Sequence, residues 1–214
     1  MLTRSSPGPD AAEHEGAIVI AIVDYGAGNL NSVKKAFDYL GAEVVVTDQS
    51  ATVAAAEKIV LPGVGHFSSL RALDRTGLRE ALLQAASADK SFLGICLGMQ
   101  WFFEGSEECS DLAGAAIFPG KCRQFPSSVK SPHVGWNSLA VQEGSRLLRG
   151  IAQDSFVYYT HSFHAPVDAA TTAISEYGLP FAGAVERGNI FGVQFHPEKS
   201  GDVGLAILKN FCEV

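Results

Sequence analysis

Between residues 17 and 96 the chain alternates short apolar runs with stretches of helical periodicity, and this order constrains the fold more than any other feature. Ala17–Val23 is a continuous apolar run, the pattern of a strand covered on both faces. Leu30, Val33, Phe37 and Leu40 then recur at helical spacing, with Asn29 or Asn31 as cap and Gly41 as stop. Next come a strand over Val44–Thr47, an Ala-rich helix over Thr52–Glu57 and a strand over Lys58–Leu61. A helix over Leu78–Ala88, a strand over Phe92–Ile95 and a helix starting just after Cys96 follow. Strands linked through helices run parallel, and the helices cover both faces of the sheet. The second half reads differently. Phe156–Tyr159, Thr172–Ser175, Phe181–Glu186 and Ile190–Phe195 are strand runs joined by short turns, before a last helix over about Asp202–Cys212. The expectation is one α/β domain over 17–214, with a mixed, mostly parallel sheet flanked by helices.

Composition excludes several alternatives. With 214 residues, 47% of them apolar and 18% charged, the chain has enough apolar surface to offset its chain entropy. Sixteen basic against 23 acidic residues leave a net charge of −7, which argues against a nucleic-acid partner. The longest apolar run, Ala17–Val23, is far short of the ~20 residues that cross a bilayer, so no membrane partner is expected. Cys96, Cys109, Cys122 and Cys212 show no CxxC spacing, as expected of free thiols in a reducing cytoplasm. Residues 1–16 are rich in Pro, Ser, Gly and acids without apolar periodicity, and are expected to form a disordered, dispensable tail.

Three stretches carry chemistry. Gly94-Ile95-Cys96-Leu97-Gly98 has the form G-x-nucleophile-x-G at a strand-to-helix junction. A thiol there sits at a helix start, which favours thiolate, and the Leu97 amide is placed to donate to an oxyanion. Taken alone, the pentapeptide fits a buried structural cysteine equally well. Gln194-Phe195-His196-Pro197-Glu198 follows an apolar strand. In extended backbone, with Pro197 holding it, His196 and Glu198 point the same way. They then supply a base and the group that orients it. Leu61-Pro62-Gly63-Val64-Gly65-His66-Phe67 follows a third strand; it lacks the Lys of a phosphate loop and better suits a second oxyanion donor. His66 and His133 read as loop-stabilising. His161 and His164 form HxxH without a further ligand at metal spacing, so no metal and no cofactor are expected.

Residues 17–213 resemble the class I, triad-type glutamine amidotransferase domain. More narrowly they resemble the family of glutaminase subunits of imidazole glycerol phosphate synthases, from histidine biosynthesis. The resemblance rests on I-V-D-Y-G-A-G-N-L-N-S-V (Ile22–Val33), L-P-G-V-G-H-F (Leu61–Phe67), G-I-C-L-G-M-Q (Gly94–Gln100), P-H-V-G-W-N (Pro132–Asn137), Y-T-H-S-F (Tyr159–Phe163) and G-V-Q-F-H-P-E-K-S-G (Gly192–Gly201). It implies a three-layer fold, with Cys96 as nucleophile, His196 as base and Glu198 as its orienter. Gly63, Val64, Gly65 and Leu97 would form the oxyanion hole. Gln100, Glu108, His161, Ser162 and Phe163 would hold the two ends of the substrate, glutamine. Phe163 stands where the family leads one to expect Tyr, which matters only if a hydroxyl is used. Trp136 and Lys199 would face a partner.

The implied reaction also calls for that partner. Ammonia in neutral water is mostly ammonium, so it must travel by a dry route, and residues 17–213 leave no room for an acceptor site. By resemblance the acceptor is a (β/α)₈-barrel cyclase subunit. An ungated glutaminase would waste glutamine, so Pro62–Gly65 is expected to be mis-aimed until that subunit binds its own ligand, with a peptide flip at Val64. Two other readings stay open at this point. One is the glutaminase subunit of a different synthase; the other is a catalytically idle partner-binding subunit.

Overall fold

The computed structural model describes residues 20–214. The expected tail over residues 1–16 and the start of the first expected strand, residues 17–19, lie outside the described residues. The chain order is β1 (Ile20–Val23), α1 (Leu30–Tyr39), β2 (Val44–Thr47), α2 (Ser50–Ala55), β3 (Lys58–Gly63), α3 (Arg71–Arg75), α4 (Leu78–Ser87), β4 (Ser91–Cys96) and α5 (Leu97–Trp101). It continues through β5 (Gly105–Ser106), β6 (Lys121–Gln124), β7 (His133–Val141), β8 (Ser155–His161), β9 (Phe163–His164), β10 (Thr171–Glu176), β11 (Pro180–Arg187), β12 (Ile190–Val193) and α6 (Gly201–Glu213).

Nine strands form one sheet in the order β2-β1-β3-β4-β12-β11-β10-β7-β8. From β2 to β12 neighbours run parallel. From β12 to β8 they run antiparallel. The mixed sheet read from the sequence is therefore what forms. Alternate residues of its central strands feed two cores. Ile59, Leu61 and Phe92 pack on one face, with Leu82 of α4 and Trp101 of α5. Val60, Leu93 and Ile95 pack on the other, with Phe37 of α1 and Phe211 of α6. Each such side chain, fully removed from water, contributes about 1.5–3 kcal/mol before entropy is counted, so the strands that carry the site are firmly held from both faces.

Several boundaries differ from expectation. Helix α2 begins and ends two residues early, and β12 ends at Val193 rather than Phe195. Strand β7 was not expected, because Gly135, Trp136 and Asn137 interrupt its β-branched pattern and its burial does not alternate cleanly. The small sheet β5-β6-β9 was not expected either; two of its strands are only two residues long.

Candidate active site

Parallel strands put their C-terminal ends side by side, and ligands bind in the crevice there. Here Gly63 at the end of β3 pairs with Cys96 at the end of β4, and Val193 at the end of β12 pairs with Ile95. The three motif stretches, far apart in sequence, therefore leave the sheet next to one another.

Cys96 has φ 54° and ψ −105°, a backbone strain characteristic of a nucleophile elbow. The flanking glycines serve packing rather than a special dihedral. A Cβ on Gly98 would lie 1.8 Å from the Leu61 carbonyl oxygen, and one on Gly94 would lie 2.7 Å from the Gly98 carbonyl. The turn is so tight that α5 lies directly against β3. With five residues, α5 offers Cys96 the free amides of its first turn rather than a long-helix dipole.

His196 Nδ1 donates to Glu198 Oε1 at 2.8 Å, and both side chains are almost fully buried. The backbone between them is not extended, as the sequence suggested. Residues Pro197–Lys199 form a 3₁₀ turn, for which Pro197 fits the first position, and the turn brings the carboxylate back under the ring. Because Nδ1 donates, Nε2 is the free nitrogen, and it is buried with no hydrogen-bond partner among the described residues. Burial lowers the basicity of His196. The negative charge of a Cys96 thiolate and the hydrogen-bonded Glu198 carboxylate outweigh burial and raise the imidazole to about 10. Ser200, a residue the sequence reading passed over within H-P-E-K-S, fixes this segment. Its hydroxyl donates to the His196 carbonyl at 2.6 Å and accepts the Tyr158 amide at 3.0 Å.

A pocket of about 260 Å³ opens at Cys96. Of the expected residues, Gly65, Leu97, Gln100, Glu108, His161, Ser162 and Phe163 line it, together with Pro132 and Thr160. Gly63 and Val64 do not. Gly63 is packed so closely that a Cβ there would lie 2.5 Å from the Tyr25 hydroxyl. Gly65, by contrast, has φ +93° and open space beside it, so any freedom of this loop resides at Gly65. Glu108 Oε2 accepts the Phe67 amide at 2.7 Å, tying the far end of the loop to the pocket wall. His66 accepts the Ser68 amide through Nδ1, the loop-stabilising role read from the sequence. A larger depression of about 760 Å³ lies against residues 141–153 and Val214 and has neither cysteine nor histidine in its lining.

The carbonyl of Phe163 anchors the opposite wall. It accepts from Gln100 Nε2 at 2.8 Å and from His161 Nδ1 at 2.9 Å. His161 Nε2 is therefore an acceptor, and takes the Nδ1 proton of His133 at 3.0 Å. Burial pushes His133 down to about 4 and His161 down to about 3, which keeps both neutral. Both nitrogens of His161 are thus engaged within the protein, and among the described residues no three His, Cys, Asp or Glu cluster to hold a metal. Because Phe163 is used through its backbone here, the missing Tyr hydroxyl removes none of these bonds.

Trp136 and Lys199 come together outside the pocket. Trp136 is 55% exposed and meets Tyr158 edge-on at 6.0 Å; the Lys199 ammonium sits 5.8 Å from the same Tyr158 ring. Val134 and Phe156 are exposed on the same two strands, β7 and β8. The apolar stripe reaches the pocket rim at Thr160.

Comparison with known proteins finds relatives over nearly the whole chain. The family model described as glutamine amidotransferase class-I matches residues 21–214. A Bacillus cereus protein named imidazole glycerol phosphate synthase subunit HisH is 45% identical over 195 residues, covering 90% of this chain and 93% of that protein. Its namesake from Chlorobium luteolum is 46% identical over 200 residues, covering 91% of this chain and all of its own. A crystal structure of a glutamine amidotransferase shares the fold with a TM-score of 0.72 at 15% identity, covering 92% of this chain and all of that one.

Proposed function

The chain belongs to the class I glutamine amidotransferase family, and from that premise we propose that it is the glutaminase subunit of an imidazole glycerol phosphate synthase, cleaving glutamine through a thioester at Cys96. The observation that carries the reading is the pocket of about 260 Å³ that exposes a strained Cys96 beside the buried His196–Glu198 pair. The Glu198 carboxylate on Nδ1 and a negative charge on Cys96 both favour the protonated imidazole, the form that supplies the proton to the leaving group. The thiolate attacks the side-chain amide carbon of glutamine, and the carbonyl electrons move to oxygen. The Leu97 amide stabilises that charge, joined by the Pro62–Gly65 loop once that loop is re-aimed. As the tetrahedral intermediate collapses, His196 gives its proton to the departing nitrogen, which leaves as ammonia. His196, now neutral, takes a proton from water as the water attacks the thioester. Glutamate leaves and the thiolate–imidazolium pair is restored. Glu198 holds the ring in the tautomer that presents Nε2. Gln100, Glu108 and the His161–Phe163 segment form the walls that hold the amino and carboxylate ends of glutamine.

The ammonia serves a partner, the (β/α)₈-barrel cyclase subunit, and the exposed stripe around Trp136, Tyr158 and Lys199 is the face that receives it. Exposed aromatics beside a cation, contiguous with the pocket, suit an interface of this kind. The loop Pro62–Gly65 is mis-aimed until the partner binds its own ligand, with the turn at Gly65 taking up the change. One missing oxyanion donor lowers turnover by at least ~100-fold. Glutamine hydrolysis should therefore be at least that much slower in the isolated chain than in the complex holding the barrel's ligand. Equal rates would refute the gating, and no glutamine hydrolysis in either state would refute the glutaminase.

A further inference from the structure

A second set of hydrogen bonds reaches Cys96, and its polarity is fixed by chemistry. The Phe163 carbonyl accepts only, so the Gln100 atom 2.8 Å from it is the amide nitrogen. The other N–H of that nitrogen donates to Gln194 Oε1 at 3.1 Å. This orients the Gln194 amide in turn, and its Nε2 faces the Cys96 sulfur at 3.6 Å. Gln194 is fully buried and Gln100 is 3% exposed, so the Gln194 amide depends on protein partners. The sulfur also lies 4.0 Å from the Thr160 carbonyl, which favours the thiol because it accepts an S–H. The two neighbours therefore act on opposite forms of the sulfur.

We propose that Gln194 is a further catalytic group of this site: its side-chain N–H donates to the Cys96 sulfur and stabilises it as thiolate, the Gln100–Phe163 relay holding that N–H in place. Buried hydrogen bonds to a charged acceptor are among the stronger ones, and loss of the Gln194 N–H leaves the Thr160 carbonyl, which favours the thiol. The proposal explains why the residue before Phe195 is a fully buried polar side chain at the end of a β-strand run. It rests on the reading of Cys96 as nucleophile.

The test is alkylation of Cys96 by iodoacetamide across pH 5–9, followed by mass spectrometry of the Cys96 peptide in the full chain. Gln194→Glu keeps the acceptor for Gln100 but faces the sulfur with an acceptor; Gln194→Met removes both without adding charge. The other ionisable groups around the sulfur are His196 with Glu198 behind it, Tyr25 from the end of β1, Cys122 from β6 and Glu108 across the pocket. Burial raises Tyr25 and Cys122, so both stay neutral across the assay, and the variants leave all five in place. The expected result is a rate profile displaced upward by about one pH unit in Gln194→Met, roughly tenfold slower alkylation at neutral pH, and a larger displacement in Gln194→Glu. Unmoved profiles in both variants would overturn the role of Gln194 while leaving Cys96 as nucleophile. A wild-type Cys96 that resists alkylation throughout would overturn the nucleophile reading and this inference together. Should the variants not fold, the side-chain amide resonances of Gln194 in the wild-type chain are decisive. They should shift on alkylation of Cys96, and resonances that stay put would exclude the contact.

Discussion

Replacing Gly98 by alanine places a methyl carbon 1.8 Å from the Leu61 carbonyl oxygen and 2.9 Å from the carbonyl carbon. Neither atom can turn aside, because Leu61 lies in β3 and pairs with Gly94 of β4 in the middle of the sheet. The burden falls on α5, which must lift away from β3 and carry Leu97 with it. Overpacking typically costs 1–3 kcal/mol. A backbone obstacle at this distance belongs at the upper end, about 3 kcal/mol, which for a domain of this size lowers the unfolding temperature by roughly 6–12 °C. The Leu97 amide moves as well, so glutamine turnover in the complex should fall by at least ~100-fold at a temperature where the variant is still folded. Gly65→Ala is the control. It meets nothing within 4 Å but must adopt φ +93°, a strain of about 1–2 kcal/mol, and should lower the unfolding temperature by only about 2–8 °C. Calorimetry on both variants, with ammonia release measured in the complex, decides the matter. A Gly98→Ala chain with wild-type unfolding and turnover would refute the claim that this glycine is there to let α5 lie against β3.

Other consequences follow from the same geometry. Phe163→Tyr should leave kcat and KM for glutamine within about twofold, because Gln100 and His161 bond to its carbonyl; a larger change would mean that the ring position matters. Trp136→Ala should weaken the complex with the barrel subunit about 30-fold or more in a titration, as an exposed aromatic at the centre of an interface does, while an unchanged affinity would move the interface elsewhere. His196 should remain protonated at pH 8 by nitrogen-resolved magnetic resonance and lose its proton near pH 10. Cys96→Ser, which removes the negative charge opposing that loss, should bring the midpoint down. An ordinary midpoint in the wild-type chain would contradict the thiolate–imidazolium pair.

The parallel half of the fold was legible because its inner strands β1, β3 and β4 are buried on both faces and therefore read as unbroken apolar runs. The antiparallel half was legible only in part. In β7 Gly135, Trp136 and Asn137 answer to the surface rather than to the core, so the periodicity that marks a strand is lost. The chemistry-bearing residues were visible as motifs, and the strand order explains why they meet. What the motifs concealed was local geometry. His196 and Glu198 meet through a 3₁₀ turn because Pro197 starts one as readily as it extends a chain, and nothing in the tripeptide chooses between the two. Gly63 and Gly65 look alike in sequence, yet one is packed against Tyr25 and Leu97 and the other is free to turn. Ser200 and Gln194 lay within a recognised block but act by hydrogen bonds between segments, which sequence spacing does not encode.

The central claim is that Cys96 becomes covalently bonded to the substrate. Acid quenching of the complex during turnover of glutamine, followed by mass spectrometry of the Cys96 peptide, tests it directly. The account predicts a γ-glutamyl thioester on Cys96 that is lost under mild base and is absent from Cys96→Ser, while Cys96→Ser still supports synthesis from added ammonium salt. Glutamine hydrolysis at the wild-type rate by Cys96→Ser, with no adduct on the wild-type peptide, would contradict it.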